Sequence, residues 1–156
     1  PGDHHHEVQS LARLETIRYS VEKVITAETG GGAFAWLTQD KLLLIAHGTV
    51  IAGVDMAKRE AGDMWLGGEV LHVRLPAAEI FVATLNNQET QVYNRETSIF
   101  RPADPDLETQ ARQVAEEEIR KSAIEDGILD VAQQNAEAYL TRFFAALGYS
   151  QVVFEK

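Results

Sequence analysis

The sequence of 156 residues contains no cysteine. This absence excludes disulfide bonds, thiol catalysis and thiolate metal ligands, although it does not identify a cellular compartment. Basic residues are also few, because 14 Lys and Arg stand against 24 Asp and Glu and the net charge is −10. Such a surface repels phosphate backbones, and no basic cluster is longer than Lys58-Arg59. We therefore expect no nucleic-acid partner and no direct docking on an anionic membrane.

Long hydrophobic runs and familiar catalytic motifs are missing too. The apolar run at Leu42–Ala46 is far shorter than the roughly 20 residues needed to cross a bilayer. The sequence has no GxSxG, HExxH, P-loop or GxGxxG pattern. With 45% hydrophobic and 24% charged residues, it has the composition and length of one globular domain. We expect this domain at residues 11–156, after a tail or tag remnant at 1–10 that contains His4–His6.

The first two-thirds of the sequence has the period of β-strands. Apolar and polar residues alternate at 16–25, as in a half-buried strand. Residues 40–56 are almost continuously apolar and indicate a strand pair or one bent strand, in which Gly48 and Gly53 suggest kinks or a close backbone approach. Further expectations are a glycine loop at 28–33, a strand opening at Trp36-Leu37, strands at 67–75, 79–85 and 90–100, and a corner at Pro76.

After Pro102 and Pro105 the apolar spacing becomes helical. The first predicted stripe comprises Leu107, Ala111, Val114, Ala115, Ile119 and Ser122/Ala123, and the second comprises Ile128, Ala132, Asn135, Ala136, Tyr139, Phe143 and Leu147. Gly148 is suited to end the second helix, and 150–155 is read as a short final strand. This single change of period predicts an α+β fold, a mainly antiparallel sheet with two C-terminal helical segments packed on one face.

The candidate site residues are His47, Asp55, His72 and Glu79, all on predicted strands. If their side chains converge, they suit zinc or another divalent metal, or acid/base catalysis. The alternative is that His72 and Arg74 line the solvent face of a half-exposed sheet, while Asp55 caps a turn at 56–58. Because nothing in the spacing shows that the four side chains converge, we predict no catalytic residue, no metal and no cofactor, and keep the four residues as a cluster to test.

Short motifs in a fixed order resemble those of a bacterial domain-of-unknown-function family, number 4230. They lie within "GTVIAGVDM", "VRLPAAEIF" and residues 111–154, at Ala52–Asp55, Leu75–Ile80, Ala123–Ala132, Asn135-Ala136 and Leu147–Tyr149. The resemblance implies a domain that usually follows a membrane-tethering helix and has no assigned activity or catalytic residues. A looser likeness to the band-7 or stomatin-like domains of membrane scaffolds concerns architecture alone.

Three functional expectations follow. The leading one is a non-enzymatic interaction or scaffold domain that self-associates or binds a protein partner at a membrane. Such a domain is membrane-associated or extracytoplasmic, and contacts the membrane only through a tether absent from this chain; a cytoplasmic location stays open. The second is a small metal-dependent or acid/base enzyme built on the strand-borne His and Asp/Glu residues. The third is a domain that binds a small apolar ligand between sheet and helices, for which an unexplained cavity would be the sign.

Overall fold

A computed structural model describes residues 12–30, 39–99 and 103–156. The expectations for the tail with His4–His6, for positions 31–33 of the glycine loop, for Trp36-Leu37 and for Pro102 lie outside these residues. No helix among the described residues is both long and apolar enough to cross a membrane.

The described residues form two sheets and two long helices. The strands are β1 Arg13–Thr29, β2 Asp40–Asp55, β3 Met64–Gly67, β4 Val70–Arg74, β5 Glu79–Leu85, β6 Gln91–Thr97 and β7 Gln151–Glu155, and the helices are α1 Leu107–Glu125 and α2 Ile128–Ala146. One sheet has the order β1-β2-β5 with β6 also paired to β2, and the other has the order β3-β4-β7. β4 is antiparallel to β3 and parallel to β7. The predicted α+β class, with its two C-terminal helices and final strand, is confirmed.

Contacts divide the chain into two compact units. Of the described residues, the first unit contains 12–18, Ile51–Phe81 and Asp126–Lys156, and the second contains 19–30, 39–50, 82–99 and 103–125. Three strands, β1, β2 and β5, contribute residues to both units. No single linker in the sequence therefore separates the two units.

The core of the second unit is built where α1 packs on β2. Alternate β2 residues are buried, as is one stripe of α1, and the set includes Leu42, Leu44, Ala46, Val50, Leu107, Ala111, Ala115, Ile119 and Ala123. Helix and strand approach so closely that a Cβ on Gly48 would lie 2.4 Å from Cδ1 of Ile119. The close approach predicted at Gly48 is thus confirmed. Val114 was wrongly placed in the buried stripe, because its side chain is 49% exposed.

The second unit also contains a buried ion pair that the sequence did not reveal. Asp40 begins β2 with no exposed surface. Its carboxylate accepts hydrogen bonds from Nε and Nη2 of Arg95, at 3.2 and 2.7 Å, from the Thr97 hydroxyl at 3.0 Å and from the Asp104 backbone N–H at 2.6 Å. The hydrogen bonds from Arg95, Asp104 and Thr97 lower the pKa of Asp40 to about 2, although burial opposes the shift. The pair therefore ties the start of β2 to β6 and to the chain before α1.

The core of the first unit lies between β4 and α2. Leu71 and Val73 of β4 pack against Leu140 and Phe144 of α2. The predicted stripe on α2 was partly wrong, because Asn135, Tyr139 and Leu147 are exposed and Phe143 is half-buried. The buried residues instead advance in constant steps of four, through Ile128, Ala132, Ala136, Leu140 and Phe144. Such a stripe turns slowly around the helix, since 3.6 residues complete a turn.

Two glycines of the first unit occupy positions that suit glycine: one ends α2, and the other lets β2 pass close to β1. Gly148 has a φ of 104° and follows α2 as predicted. The backbone N–H groups of Gly148 and Tyr149 donate to the carbonyls of Ala145 and Phe144, the hydrogen bonds of a Schellman motif. Gly53 lies so close to β1 that a Cβ would stand 1.9 Å from the Leu14 carbonyl oxygen. The close approach predicted at Gly53 is therefore confirmed.

Candidate binding groove

His47 lies in the second unit, on the outward face of β2. Its backbone N–H donates to the Thr90 hydroxyl at 3.1 Å. Its ring nitrogen Nε2 stands 4.0 Å from a carboxylate oxygen of Glu22. The contacts of His47 thus connect β2 to β1 and to the residue before β6.

Asp55 and Glu79 stabilise a turn in the first unit. Asp55 accepts a hydrogen bond from the Ala57 N–H at 3.0 Å and caps the short 3₁₀ helix Met56–Lys58, as the structural alternative predicted. The carboxylate of Glu79, where β5 begins, accepts from Nζ of Lys58 at 2.6 Å. This bond, with the charge of Glu79 and a smaller contribution from Asp55, raises the pKa of Lys58.

His72 belongs to a polar and aromatic cluster on the smaller sheet. Its Nδ1 lies 2.7 Å from a carboxylate oxygen of Glu155, and its ring stacks on Trp65 with centroids 5.3 Å apart. The guanidinium of Arg74 stands 5.5 Å from the centroid of the same Trp65 ring, and 3.8 Å from Asp63. His72 and Arg74 point away from the buried Leu71 and Val73, on the outer face of the sheet.

The structure therefore gives His47, Asp55, His72 and Glu79 separate hydrogen-bond partners. Across residues 12–30, 39–99 and 103–156, no group of three or more His, Asp or Glu side chains could hold a metal ion. The observed bonds explain each of the four residues as part of the local structure, without assigning a chemical step to any of them.

The first unit instead presents an open apolar groove of about 410 Å³. Ligand pockets in proteins range over about 300–1,000 Å³, so the groove has room for a small molecule. Its lining is almost wholly apolar and comprises Ala12, Leu14, Met56, Ala57, Arg59, Met64, Leu140, Phe143 and Phe144. An open groove of this kind leaves apolar surface in water that a ligand can cover.

Four local structures place the walls of the groove. The Asp55 cap holds the turn that carries Met56 and Ala57. The close approach at Gly53 holds Leu14 of β1 in place. Met64 begins β3, paired with the buried Val73. On α2, the steps of four bury Phe144, while neighbouring Phe143 stays half-buried.

Arg59 is the charged residue of the groove lining. Its Nη1 lies 3.5 Å from the sulfur of Met64, and its backbone N–H ends the 3₁₀ turn by donating to the Met56 carbonyl. Among the described side chains, no carboxylate forms an ion pair with its guanidinium, in contrast to Arg74, Arg95 and Arg112. A cation without an acidic partner therefore stands beside an apolar surface.

The sequence contained only a weak signal of this groove. Phe143 was predicted within the packed stripe, and no sequence pattern distinguishes a half-buried aromatic from a buried one. The two methionines are the chain's entire complement, and both line the groove. Methionine is flexible and polarizable, and is enriched at adaptable binding surfaces. The two methionines, eight positions apart, were the feature of the sequence that could have indicated the groove.

The fold is that of an α+β domain with an open apolar groove in its first unit. The chain belongs to the family described as "Protein of unknown function (DUF4230)", which matches residues 6–154. The family resemblance predicted from the short motifs is thereby confirmed. Comparison with curated proteins and with solved structures gives no match.

Proposed function

We propose that the protein is a non-enzymatic binding domain and that the groove of its first unit takes up an apolar group. The observation that carries the proposal is the open, almost wholly apolar groove beside the buried core. Removing apolar surface from water contributes about 25 cal/mol per Å² buried, which favours an apolar occupant.

The surroundings of the groove support binding by a surface that is already formed. Leu140 and Phe144 are buried in the core of the first unit, so the floor is fixed before a ligand arrives. Met56 and Met64 can change rotamer and adapt to the ligand. A rigid floor with adaptable walls reduces the ordering cost of binding, because fewer groups are immobilised when the ligand enters.

Calorimetry with octan-1-ol tests this proposal, because a neutral alcohol probes the apolar surface alone. We expect saturable binding with a negative heat-capacity change, the mark of apolar burial. Ala57→Trp should fill the groove from an exposed turn without emptying the core, and should weaken binding at least about tenfold, the equivalent of about 1.4 kcal/mol.

Ala57→Ser is the matched control, since it changes the same exposed position without adding bulk. It should bind the alcohol within about twofold of the original protein, a difference well under 1 kcal/mol. An absence of saturable binding in the original protein, or equal binding by the Trp and Ser variants, would contradict the proposal.

Self-association at a membrane is the second candidate, and the outer face of the three-stranded sheet favours it. Trp65 and Val153 on this face are 38% and 43% exposed. Trp and Arg are the residues that most often dominate binding interfaces, and Arg74 lies beside Trp65. A second copy related by a two-fold axis could place its Glu155 against Arg74, because such an interface presents the same patch twice. Sedimentation velocity should then show a dimer whose fraction grows with protein concentration.

A membrane tether would hold such a domain at a membrane surface, on the extracytoplasmic side. This part of the proposal depends on the expectation, implied by the family resemblance, that the domain follows a tethering helix.

A further inference from the structure

We infer that the ligand of the groove is an unbranched apolar chain that ends in a carboxylate, as in a free fatty acid, and that Arg59 binds the carboxylate. This inference rests on the proposed function and adds the chemical class of the ligand. Its two parts are the apolar wall, which selects the chain, and the guanidinium at the wall, which selects the head group.

The chemistry of Arg59 fits a carboxylate head. A guanidinium offers five N–H donors in a planar fork that matches the two oxygens of a carboxylate. In the described structure, Nη1 of the Arg59 guanidinium lies 3.5 Å from the Met64 sulfur. A thioether sulfur is at most a weak hydrogen-bond acceptor. The strong donors of Arg59 therefore remain available for an anionic ligand.

The charge of the whole chain makes the apolar part necessary. With a net charge of −10, the protein repels small free anions on average. Asp63, close to Arg59 in the chain, already accepts from the Glu60 N–H at 2.7 Å and stands 3.8 Å from the Arg74 guanidinium. Because of this overall negative charge, an anion without an apolar tail gains little binding free energy at Arg59. An anion with a tail gains, in addition, the free energy of burying that tail.

The volume of the groove sets the expected dependence on chain length. Each buried CH₂ contributes about 0.8 kcal/mol, which corresponds to about a fourfold gain in affinity. Affinity should therefore rise about fourfold per carbon in a series of saturated carboxylates, and should level off once the groove of about 410 Å³ is full.

The experiment measures the dissociation constants of hexanoate, octanoate, decanoate and dodecanoate, and of the alcohols of the same lengths, below their micelle concentrations. We expect each carboxylate to bind about threefold more tightly than its alcohol, because exposed ion pairs contribute under about 1 kcal/mol. This preference should shrink at high salt, which screens exposed charges.

Arg59→Gln should abolish the preference, so that each carboxylate binds this variant no more tightly than the alcohol of the same length. Arg74→Gln is the matched control, because it removes the same charge from the outer face of β4, in the same unit. It should keep the full preference.

The outcomes separate the inference from the proposed function. Equal binding of carboxylates and alcohols, or an unchanged preference in Arg59→Gln, would overturn the inference and leave the groove as an apolar site. Absence of binding by both series would overturn both. Binding to vesicles of phosphatidylglycerol, with no binding of free carboxylates, would assign the groove to a membrane lipid and overturn the free fatty acid as its ligand.

Discussion

Replacing Asp40 with asparagine tests whether the buried ion pair holds the second unit together. The change keeps the size of the side chain but removes its charge. The amide nitrogen of asparagine would face the donors from Arg95 or Asp104, so at least one buried donor would lose its acceptor. Breaking a buried pair by removing one partner typically costs about 3–5 kcal/mol. Since Arg95 keeps 25% of its side chain exposed, we expect the lower end, about 3 kcal/mol.

The dependence on pH follows from the direction of the pKa shift. Folding lowers the pKa of Asp40 from 3.8 to about 2. The charged form is therefore favoured in the folded state, and its contribution is fully present above about pH 4 and is lost as the pH falls through about 2. One pKa unit is worth about 1.4 kcal/mol, so the contribution amounts to about 2 kcal/mol.

Urea unfolding of both proteins between pH 7 and pH 2 measures this effect. The free energies of unfolding should differ by about 3 kcal/mol at pH 7, and the difference should narrow by about 2 kcal/mol as the pH falls below 4. Glu28→Gln is the control, because Glu28 is a half-exposed carboxylate 3.8 Å from Lys41 and should cost at most about 0.5 kcal/mol. A cost for Asp40→Asn as small as that of the control, or a difference that does not change with pH, would refute the reasoning.

Gly53→Ala should cost more than about 3 kcal/mol in urea unfolding, because the new Cβ meets the Leu14 backbone at 1.9 Å and the backbone must shift. Gly62→Ala should change stability by less than about 1 kcal/mol, since nothing lies within 4 Å of its Cβ, and equal costs at the two sites would contradict the close approach. In sedimentation velocity, Trp65→Ser should weaken a dimer about a thousandfold, because a two-fold interface contains this residue twice and each copy is worth about 2 kcal/mol. Val24→Ser, at an exposed position in the second unit, should not weaken the dimer. A protein that stays monomeric at all concentrations would contradict self-association, the second candidate function.

The periodicity of the sequence predicted the fold class because burying one face of a strand or helix imposes a regular spacing on its apolar residues. The alternation predicted at 16–25, which lies in β1, and the helical spacing of α1 are both found in the structure. The stripe on α2 was shifted because Tyr139 and Leu140 are both hydrophobic, and composition cannot decide which of two neighbours faces the core. The packing against β4 decides it, by burying Leu140.

The glycines and the polar residues show where sequence reasoning ends. Gly48 and Gly53 indicated a close approach correctly, because a missing side chain in a strand usually has a packing reason. The partner of Asp40 could not be predicted, since Arg95 lies 55 positions further along the chain and the fold alone brings them together. The groove escaped prediction for the same reason, because its walls come from β1, the 3₁₀ turn, β3 and α2.

The methyl resonances of the two methionines test the central claim most directly. Protein labelled with ¹³C at the methionine methyl groups should give one signal each from Met56 and Met64, and both residues line the groove. Titration with octan-1-ol should shift both signals along one saturable binding curve, and Ala57→Trp should abolish the shifts. Two signals that stay in place while the alcohol binds elsewhere, or that move without saturation, would contradict a binding site in the groove.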